Sequence, residues 1–475
     1  MTDTTTPQTS GKSSPVITDF GIDTTAQSTM DSLRDYVARL RGGELGVLPA
    51  LLGLAVLVVY FAFRSEHFLT LDNVANLFAQ SAGQIIIAMG LVFVLLLGEI
   101  DLSAGTASGV CASVMALHFL QSGNLLGGMH KTNYYIFIGA MVVAAGLALI
   151  MRIWVGVVLS LGALIIALSG AGQNPWLEML LAVCVGTAIG CITGFLVSKI
   201  GMPSFVVTLA LFIAWQGVIL EFIGNRGSIR LGSGVLYKVS NGNLSVSWSW
   251  VLCAVAVLAY AVWILGEHAL RLRRGLVTQP TPVVLFKVVA IAVIAVVVTY
   301  AFNLNRAQNA NIVIQGMPYV VPIVLVLLVV GTYTLNRTRY GRHIYAVGGN
   351  AEAARRAGIN VSKIRASVFV VCSTAAAIGA IVYSSKLGSV DPQAGGLNTL
   401  LFAVGAAVIG GTSLFGGRGK VVHALIGGLV LGVVANGLGL LQYSPGVVNI
   451  ITGMVLLVAA TVDALSRRRA AALAG

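Results

Sequence analysis

Charge is what this sequence has least of. Asp, Glu, Lys and Arg make up 9% of its 475 residues, against about 25% in soluble domains. With 57% hydrophobic residues, the chain cannot cover a water-facing surface with polar groups, which excludes an ordinary soluble protein. Acid is scarcer than base, and the formal charge is +13. The basic residues stand in short loops between apolar runs and form no stripe interleaved with aromatics. They read as topology signals, and nucleic acid is excluded as a partner. The five cysteines, Cys111, Cys184, Cys191, Cys253 and Cys372, fall inside apolar runs without CxxC pairing, so no disulfide framework or zinc site is expected. His67, His118 and His130 lack metal-ligand spacing, and no metal site is expected. There is no Gly-x-x-x-x-Gly-Lys-Ser/Thr phosphate loop, and no nucleophile–base pair emerges, so the chain is not expected to be an enzyme. The N-terminus lacks a basic start followed directly by an apolar stretch, so it does not read as a signal peptide.

What the sequence has in quantity is apolar length and glycine. A membrane span needs about 20 apolar residues. Runs suited to spans lie near 47–64, 78–98, 103–120, 135–151, 153–170, 177–198, 204–223, 248–266, 285–303, 317–335, 367–384, 398–415, 421–441 and 446–464. The loops near 98–103 and 151–153 are almost absent. The expectation is therefore an all-α, polytopic transmembrane helical bundle of about 10–14 spans in the lipid bilayer, with glycine-rich broken or re-entrant segments. The 56 glycines suit close helix–helix approach in lipid. Residues 1–46, polar and rich in Thr and Ser, read as a mostly disordered cytoplasmic tail, with a weak amphipathic stretch from Asp31 to Arg41. Residues 47–465 form the membrane domain and 466–475 a basic tail. With the N-terminus inside and every run crossing, about 22 of the 29 Lys and Arg fall on the cytoplasmic side. Both termini are then cytoplasmic, the longest cytoplasmic loop is 336–366 and the longest external loop is 224–247.

The stretch from Gly348 to Gly358 is the most informative local feature. Asn350 is a good helix N-cap and Gly358 a good C-terminal stop. Between them Ala351, Glu352, Ala353, Ala354, Arg355, Arg356 and Ala357 are strong helix formers, and Glu352 precedes Arg355 and Arg356 by three and four residues. This specifies a two-turn helix outside the bilayer, too short to be stable alone in water. It reads either as a capped surface helix or as a docking helix that a cytoplasmic partner grips through its small Ala face.

Two apolar regions are broken by glycine and polar residues. The first is Gly98-Glu99-Ile100-Asp101-Leu102-Ser103-Ala104-Gly105. The second is Ile409-Gly410-Gly411-Thr412-Ser413-Leu414-Phe415-Gly416-Gly417-Arg418-Gly419. Each follows one apolar run and precedes another, as in a weak internal repeat. Glu99 and Asp101 are costly at membrane depth. They read as interfacial residues capping the helix from Ser103, as partners of a basic residue such as Arg418, or as an ion-coupling pair. Gln80, Gln84, Trp215, Gln216 and Asn436 are isolated polar or aromatic residues within runs. Each suits a path for a hydroxyl-rich solute or, more simply, helix–helix hydrogen bonding.

Taken together, Gly98 to Ser103, Pro203-Ser204-Phe205-Val206-Val207-Thr208-Leu209, Tyr340-Gly341-Arg342 through Gly349-Asn350, Ala353-Ala354-Arg355 through Gly358-Ile359-Asn360-Val361, and Val408-Ile409-Gly410-Gly411-Thr412-Ser413-Leu414 with Gly416-Gly417 resemble the permeases of monosaccharide ABC importers. That is the ribose, xylose and galactoside group, and the xylose type in particular. The motifs recur in the family's order over about 80 to 465. The resemblance implies a multi-pass protein of the bacterial inner (plasma) membrane that translocates a monosaccharide, such as the pentose xylose. It implies a second permease subunit, as in a homodimer, and an extracytoplasmic sugar-binding protein. It also implies cytoplasmic ABC ATPase subunits that carry the ATP and Mg and dock at Gly349–Gly358. No cofactor is expected in this chain. Residues 121–175 and 268–303 look like added spans. Leu400-Leu401-Phe402 replaces an acidic stretch frequent in the family. Related permeases carry nucleosides or branched-chain amino acids, and a secondary, ion-coupled transporter is the alternative of another class.

Overall fold

The computed structural model describes residues 47–474 except 172, 277 and 308–310. The expected N-terminal tail lies outside the described residues. The fourteen apolar runs all become helices. Among the described residues nine helices are long and apolar enough to cross a membrane, and five more are apolar but shorter. In chain order the helices of six or more residues among the described residues are α1 (Leu48–Arg64), α2 (Leu71–Leu95), α3 (Ala104–Leu120), α4 (Lys131–Ile150), α5 (Trp154–Ser169), α6 (Pro175–Phe195), α7 (Ser204–Ile223), α8 (Val235–Asn241), α9 (Val246–Arg273), α10 (Thr281–Asn303), α11 (Val320–Arg337), α12 (Arg339–Gly349), α13 (Ala351–Arg356), α14 (Val361–Leu387), α15 (Leu397–Ile409), α16 (Val421–Leu440) and α17 (Pro445–Ala474). Helix α17 runs to Ala474, so the segment expected as a tail from 466 has helical backbone. Among the described residues the strands are the two-residue pair β1 (Ile229–Arg230) and β2 (Ser389–Val390). The protein is an all-α polytopic membrane protein.

The chain divides into two compact units. One comprises, among the described residues, Cys253–Val297. It holds most of α9 and α10, with Val255, Leu258, Val262, Phe286, Val289 and Val293 exposed. His268 Nε2 and Thr281 Oγ1 join its arms at 3.1 Å.

The other unit is organised around α14. Twenty-seven residues long, this helix extends about 40 Å at 1.5 Å per residue. It packs on α6 and α2, and less extensively on α3 and α8. The α6 seam is set by Gly186, Gly190 and Gly194, spaced four apart and so on one helix face. A Cβ on Gly190 would stand 2.6 Å from Val370 Cα and 2.8 Å from the Phe369 carbonyl oxygen. In lipid, such backbone contact replaces the hydrophobic driving force that water would supply. Gly190→Val should therefore destabilise the bundle by about 1–3 kcal/mol through overpacking. Thermal unfolding in detergent tests this, and an unchanged midpoint would contradict the seam.

The long loops of the sequence reading are structured. Residues 224–247 contain β1 and α8, which clamp the C-terminal end of α14. Strand β1 pairs antiparallel with β2, Ile229 opposite Val390 and Arg230 opposite Ser389. Ser240 N donates to Ser385 Oγ at 2.9 Å, and Asn241 Nδ2 to the Ser385 carbonyl at 2.7 Å. Residues 336–366 contain α12 as well as the expected α13. The buried face of α12 is Gly341, Ile344 and Val347, an i, i+3, i+6 spacing.

Candidate functional site

Both glycine breaks end their helices the same way. After α2, Gly98 takes φ +73°. Its N–H donates to the Leu95 carbonyl at 2.9 Å, and the Glu99 N–H to that of Val94 at 3.3 Å. After α15, Gly411 takes φ +107°. Its N–H donates to Val408 at 2.9 Å and the Thr412 N–H to Ala407 at 3.0 Å. Each is a Schellman stop with glycine in the left-handed position, so Gly98 and Gly411 are equivalent points of the two breaks. The breaks also touch. Gly417 N donates to the Leu96 carbonyl at 2.8 Å, and a Cβ on Gly98 would lie 3.2 Å from the Phe415 carbonyl oxygen.

The 348–358 segment closes the same junction. The Gly348 Cα packs against the Leu96 carbonyl and Gly417, and Tyr345 Oη donates to the Gly419 carbonyl at 2.7 Å. Tyr340 Oη meets Ser367 Oγ of α14 at 2.9 Å. Burial pushes this phenol up to about 12, so it stays neutral. Asn350 Oδ1 accepts from Glu352 N and Ala353 N at 3.0 and 2.9 Å. At the other end Gly358, φ +82°, forms a third Schellman stop through Gly358 N to Arg355 O and Ile359 N to Ala354 O, both 3.0 Å. Glu352 pairs with Arg355 and Arg356 at 3.0 and 3.4 Å. Within α13 only Ala354 is buried. Ala353, Glu352 and both arginines are exposed.

The acidic residues of the first break have different surroundings. Glu99 pairs with Arg365 in α14; the partner envisaged from the sequence, Arg418, lies instead in the second break, where its carbonyl accepts from Ser413 N at 2.9 Å. Asp101 is fully buried, and its Oδ1 accepts from Ser103 N at 3.0 Å and Ser103 Oγ at 2.7 Å. It holds the turn that precedes α3, buried rather than at an interface, and its Oδ2 has no hydrogen-bond partner among the described residues.

Helices α3 and α15, 17 and 13 residues long, span about 26 and 20 Å, less than the roughly 30 Å hydrocarbon thickness. Between them, near the far end of α14, lies a cavity of about 430 Å³. Its lining includes Ser108, Gln216, Tyr383, Ser384, Asp391, Gln393, Asn398 and Thr399, with Gly109 and Ala112 of α3 and Gly395–Gly396. A Cβ on Gly105 would stand 2.7 Å from the Gly395 carbonyl oxygen, so small residues on α3 let the 394–396 loop lie against it. Gly396 caps α15 without a side-chain bond, leaving first-turn N–H groups at the cavity wall. The wall thus offers hydroxyls, amides, a carboxylate, backbone donors and one aromatic ring, a set suited to a small polyol.

Residues 73–460 match the family described as branched-chain amino acid transport system / permease component. The chain belongs to this permease family. The xylose transport system permease protein XylH of Escherichia coli (strain K12) is 29% identical over 431 residues, 90% of this chain and 94% of that protein. XylH of Haemophilus influenzae is 29% identical over 434 residues, covering 91% and 99%. The ribose import permease protein RbsC of Escherichia coli (strain K12) is 27% identical over 414 residues, covering 87% and 92%. No solved structure matches.

The isolated polar residues of this permease separate into groups. Gln216 lines the cavity, and its Nε2 donates to the Pro392 carbonyl at 3.0 Å. Trp215 beside it is half-buried, with an indole N–H that has no partner among the described residues. Asn436 is drawn into helix packing: its Nδ2 and Oδ1 bond reciprocally with Asn73 of α2, both at 2.9 Å. That amide pair accounts for its polarity within the apolar run. Gln80 is exposed and Gln84 half-buried on α2, outside the cavity lining. His118 proves fully buried and paired with Glu178 of α6. Among the described residues no group of three or more His, Cys, Asp or Glu could hold a metal ion. Sequence reasoning missed Tyr383, Asp391, Asn398 and Thr399; the one local signal was Gly395-Gly396 before a helical run.

Proposed function

We propose that this chain is the membrane-spanning permease of an ATP-driven monosaccharide importer, with a pentose such as xylose as solute. The observation that carries this reading is the similarity to named xylose and ribose permeases along nearly the whole chain. The hydroxyl- and amide-lined cavity supports it. Cytoplasmic ATPase subunits, which hold ATP and its Mg ion, grip the exposed face of α13. A sugar-binding protein delivers solute from outside, toward the cavity end. A second copy of the permease completes the path, and both termini lie in the cytoplasm of a cell whose inner membrane holds the complex. ATP binding closes the ATPases, α13 moves, and the path opens alternately to either side.

The ion-coupled alternative needs an acidic residue free to exchange protons. Glu99, one of the two acids it would use, is committed to Arg365, which favours the ATP-driven reading. The test is uptake into proteoliposomes holding the permease and its ATPase. Labelled xylose, ribose and galactose are offered with the binding protein. Uptake of one of them should require enclosed ATP and the binding protein. Uptake driven by a proton gradient without ATP would overturn the proposal.

A further inference from the structure

We propose that the Glu99–Arg365 ion pair is the positioning link that carries movement of α13 to the wall of the cavity. The inference rests on the proposed function for its direction, since it takes α13 as the point where force enters.

The two sites lie at opposite ends of α14, and two routes join them. One is α14 itself. The other runs through the first break and α3. Arg365 is in the second turn of α14, directly after the stop that ends α13 at Gly358. Its guanidinium holds the Glu99 carboxylate, with side chains 33% and 13% exposed. The residues that follow Glu99 are tied to α7 and α3. Ile100 N donates to Ser204 Oγ at 3.3 Å, and the Ile100 carbonyl accepts from Thr208 Oγ1 at 3.2 Å, so the break holds the start of α7. Asp101 holds the start of α3. Helix α3 then carries Gly105 and Gly109 against Gly395 and Ala394, which form the cavity wall.

Around the pair, the segments meet through backbone at glycines: Gly348 of the 348–358 segment on Leu96, and Gly416 of the second break on Gly98. Such backbone contacts carry few directional bonds, the Gly417 N–H to the Leu96 carbonyl among them. A charge-assisted pair resists displacement in every direction and fixes distance. With the pair intact, the break and α3 follow the N-terminal end of α14. Without it, α14 moves and α3 lags, so hydrolysis proceeds and the cavity wall stays behind.

Three variants test this in proteoliposomes containing the permease, its ATPase and the binding protein: Glu99→Gln, Arg365→Glu, and the swap Glu99→Arg with Arg365→Glu. Sugar moved per ATP hydrolysed should fall about tenfold in each single variant, within the range of coupling between distant sites. ATPase co-purification and hydrolysis should persist, and the swap should restore the ratio. Wild-type stoichiometry in Glu99→Gln would overturn the proposal. So would uptake and hydrolysis falling together with the melting temperature and no rescue by the swap, the signature of a merely structural pair. A second readout needs no solute. The five native cysteines are buried, so spin labels at Ala357→Cys and Gln393→Cys report the two ends selectively. On addition of ATPase and ATP, both labels should move in the parent protein, and only the label at 357 in Glu99→Gln. Movement of both in Glu99→Gln refutes the link even if the sugar reading fails.

Discussion

Replacing Glu352 and Arg355 together by glycine is expected to abolish ATP-driven uptake and co-purification of the ATPase, while membrane insertion and the melting temperature of the bundle stay unchanged. Each glycine in a helix interior costs about 1 kcal/mol, and the ion pairs to Arg355 and Arg356 add a few tenths more. The total of roughly 2 kcal/mol is about a 30-fold shift toward the unwound state. A six-residue helix has no reserve against that, because a helix this short is unstable alone and only Ala354 packs beneath it. Restoring either residue should recover part of the binding. Full co-purification of the ATPase in the double variant would show that α13 is an ordinary surface helix and would remove the main physical support for an ATP-driven mechanism.

The ends of α13 were legible because capping is local: Asn350 and Gly358 lie within one turn of the groups they satisfy. The helices were legible because a lipid-facing segment announces itself by length and apolarity, and all fourteen runs became helices. Helix α12 was missed although its signals are present, Thr338 as N-cap and Gly341, Ile344 and Val347 at one-face spacing; the polar residues between them obscured the pattern. The partner of Glu99 was not legible at all. Arg365 is 266 residues away, and no periodicity records which of two basic residues a fold will bring near. Asn436 shows the same limit in reverse. A lone amide in an apolar run looks like a solute contact until Asn73, 363 residues distant, is seen to satisfy it. The cavity depends on α3, α7, the end of α14, the 389–396 loop and the start of α15 meeting, and only Gln216 among its polar residues stood out beforehand.

That meeting of segments makes the second large effect calculable from packing alone. Gly109→Val should eliminate sugar uptake while leaving ATPase binding through α13 intact. The α3 surface at Gly109 lies against the Ala394 carbonyl and the Ile219 side chain, and even a methyl group there would overlap the Ala394 backbone. Helix α3 cannot yield, because its neighbouring Ser108 and Ala112 are buried and its far end is fixed by the His118–Glu178 pair. The 394–396 loop, bearing left-handed Gly395, must move instead, and it moves into the cavity it lines. A cavity of about 430 Å³ is near the lower end of the roughly 300–1,000 Å³ that ligand sites occupy, so losing the volume of a few methylene groups and the placement of Asn398 and Thr399 removes its capacity for a monosaccharide. Gly109→Ala should give an intermediate loss, and Gly139→Ala, where an added Cβ meets nothing within 4 Å, should transport like the parent. Binding of labelled sugar to the reconstituted complex, read beside ATPase co-purification, separates the outcomes. Undiminished uptake in Gly109→Val would mean that the solute takes a path that does not pass between α3 and the 394–396 loop.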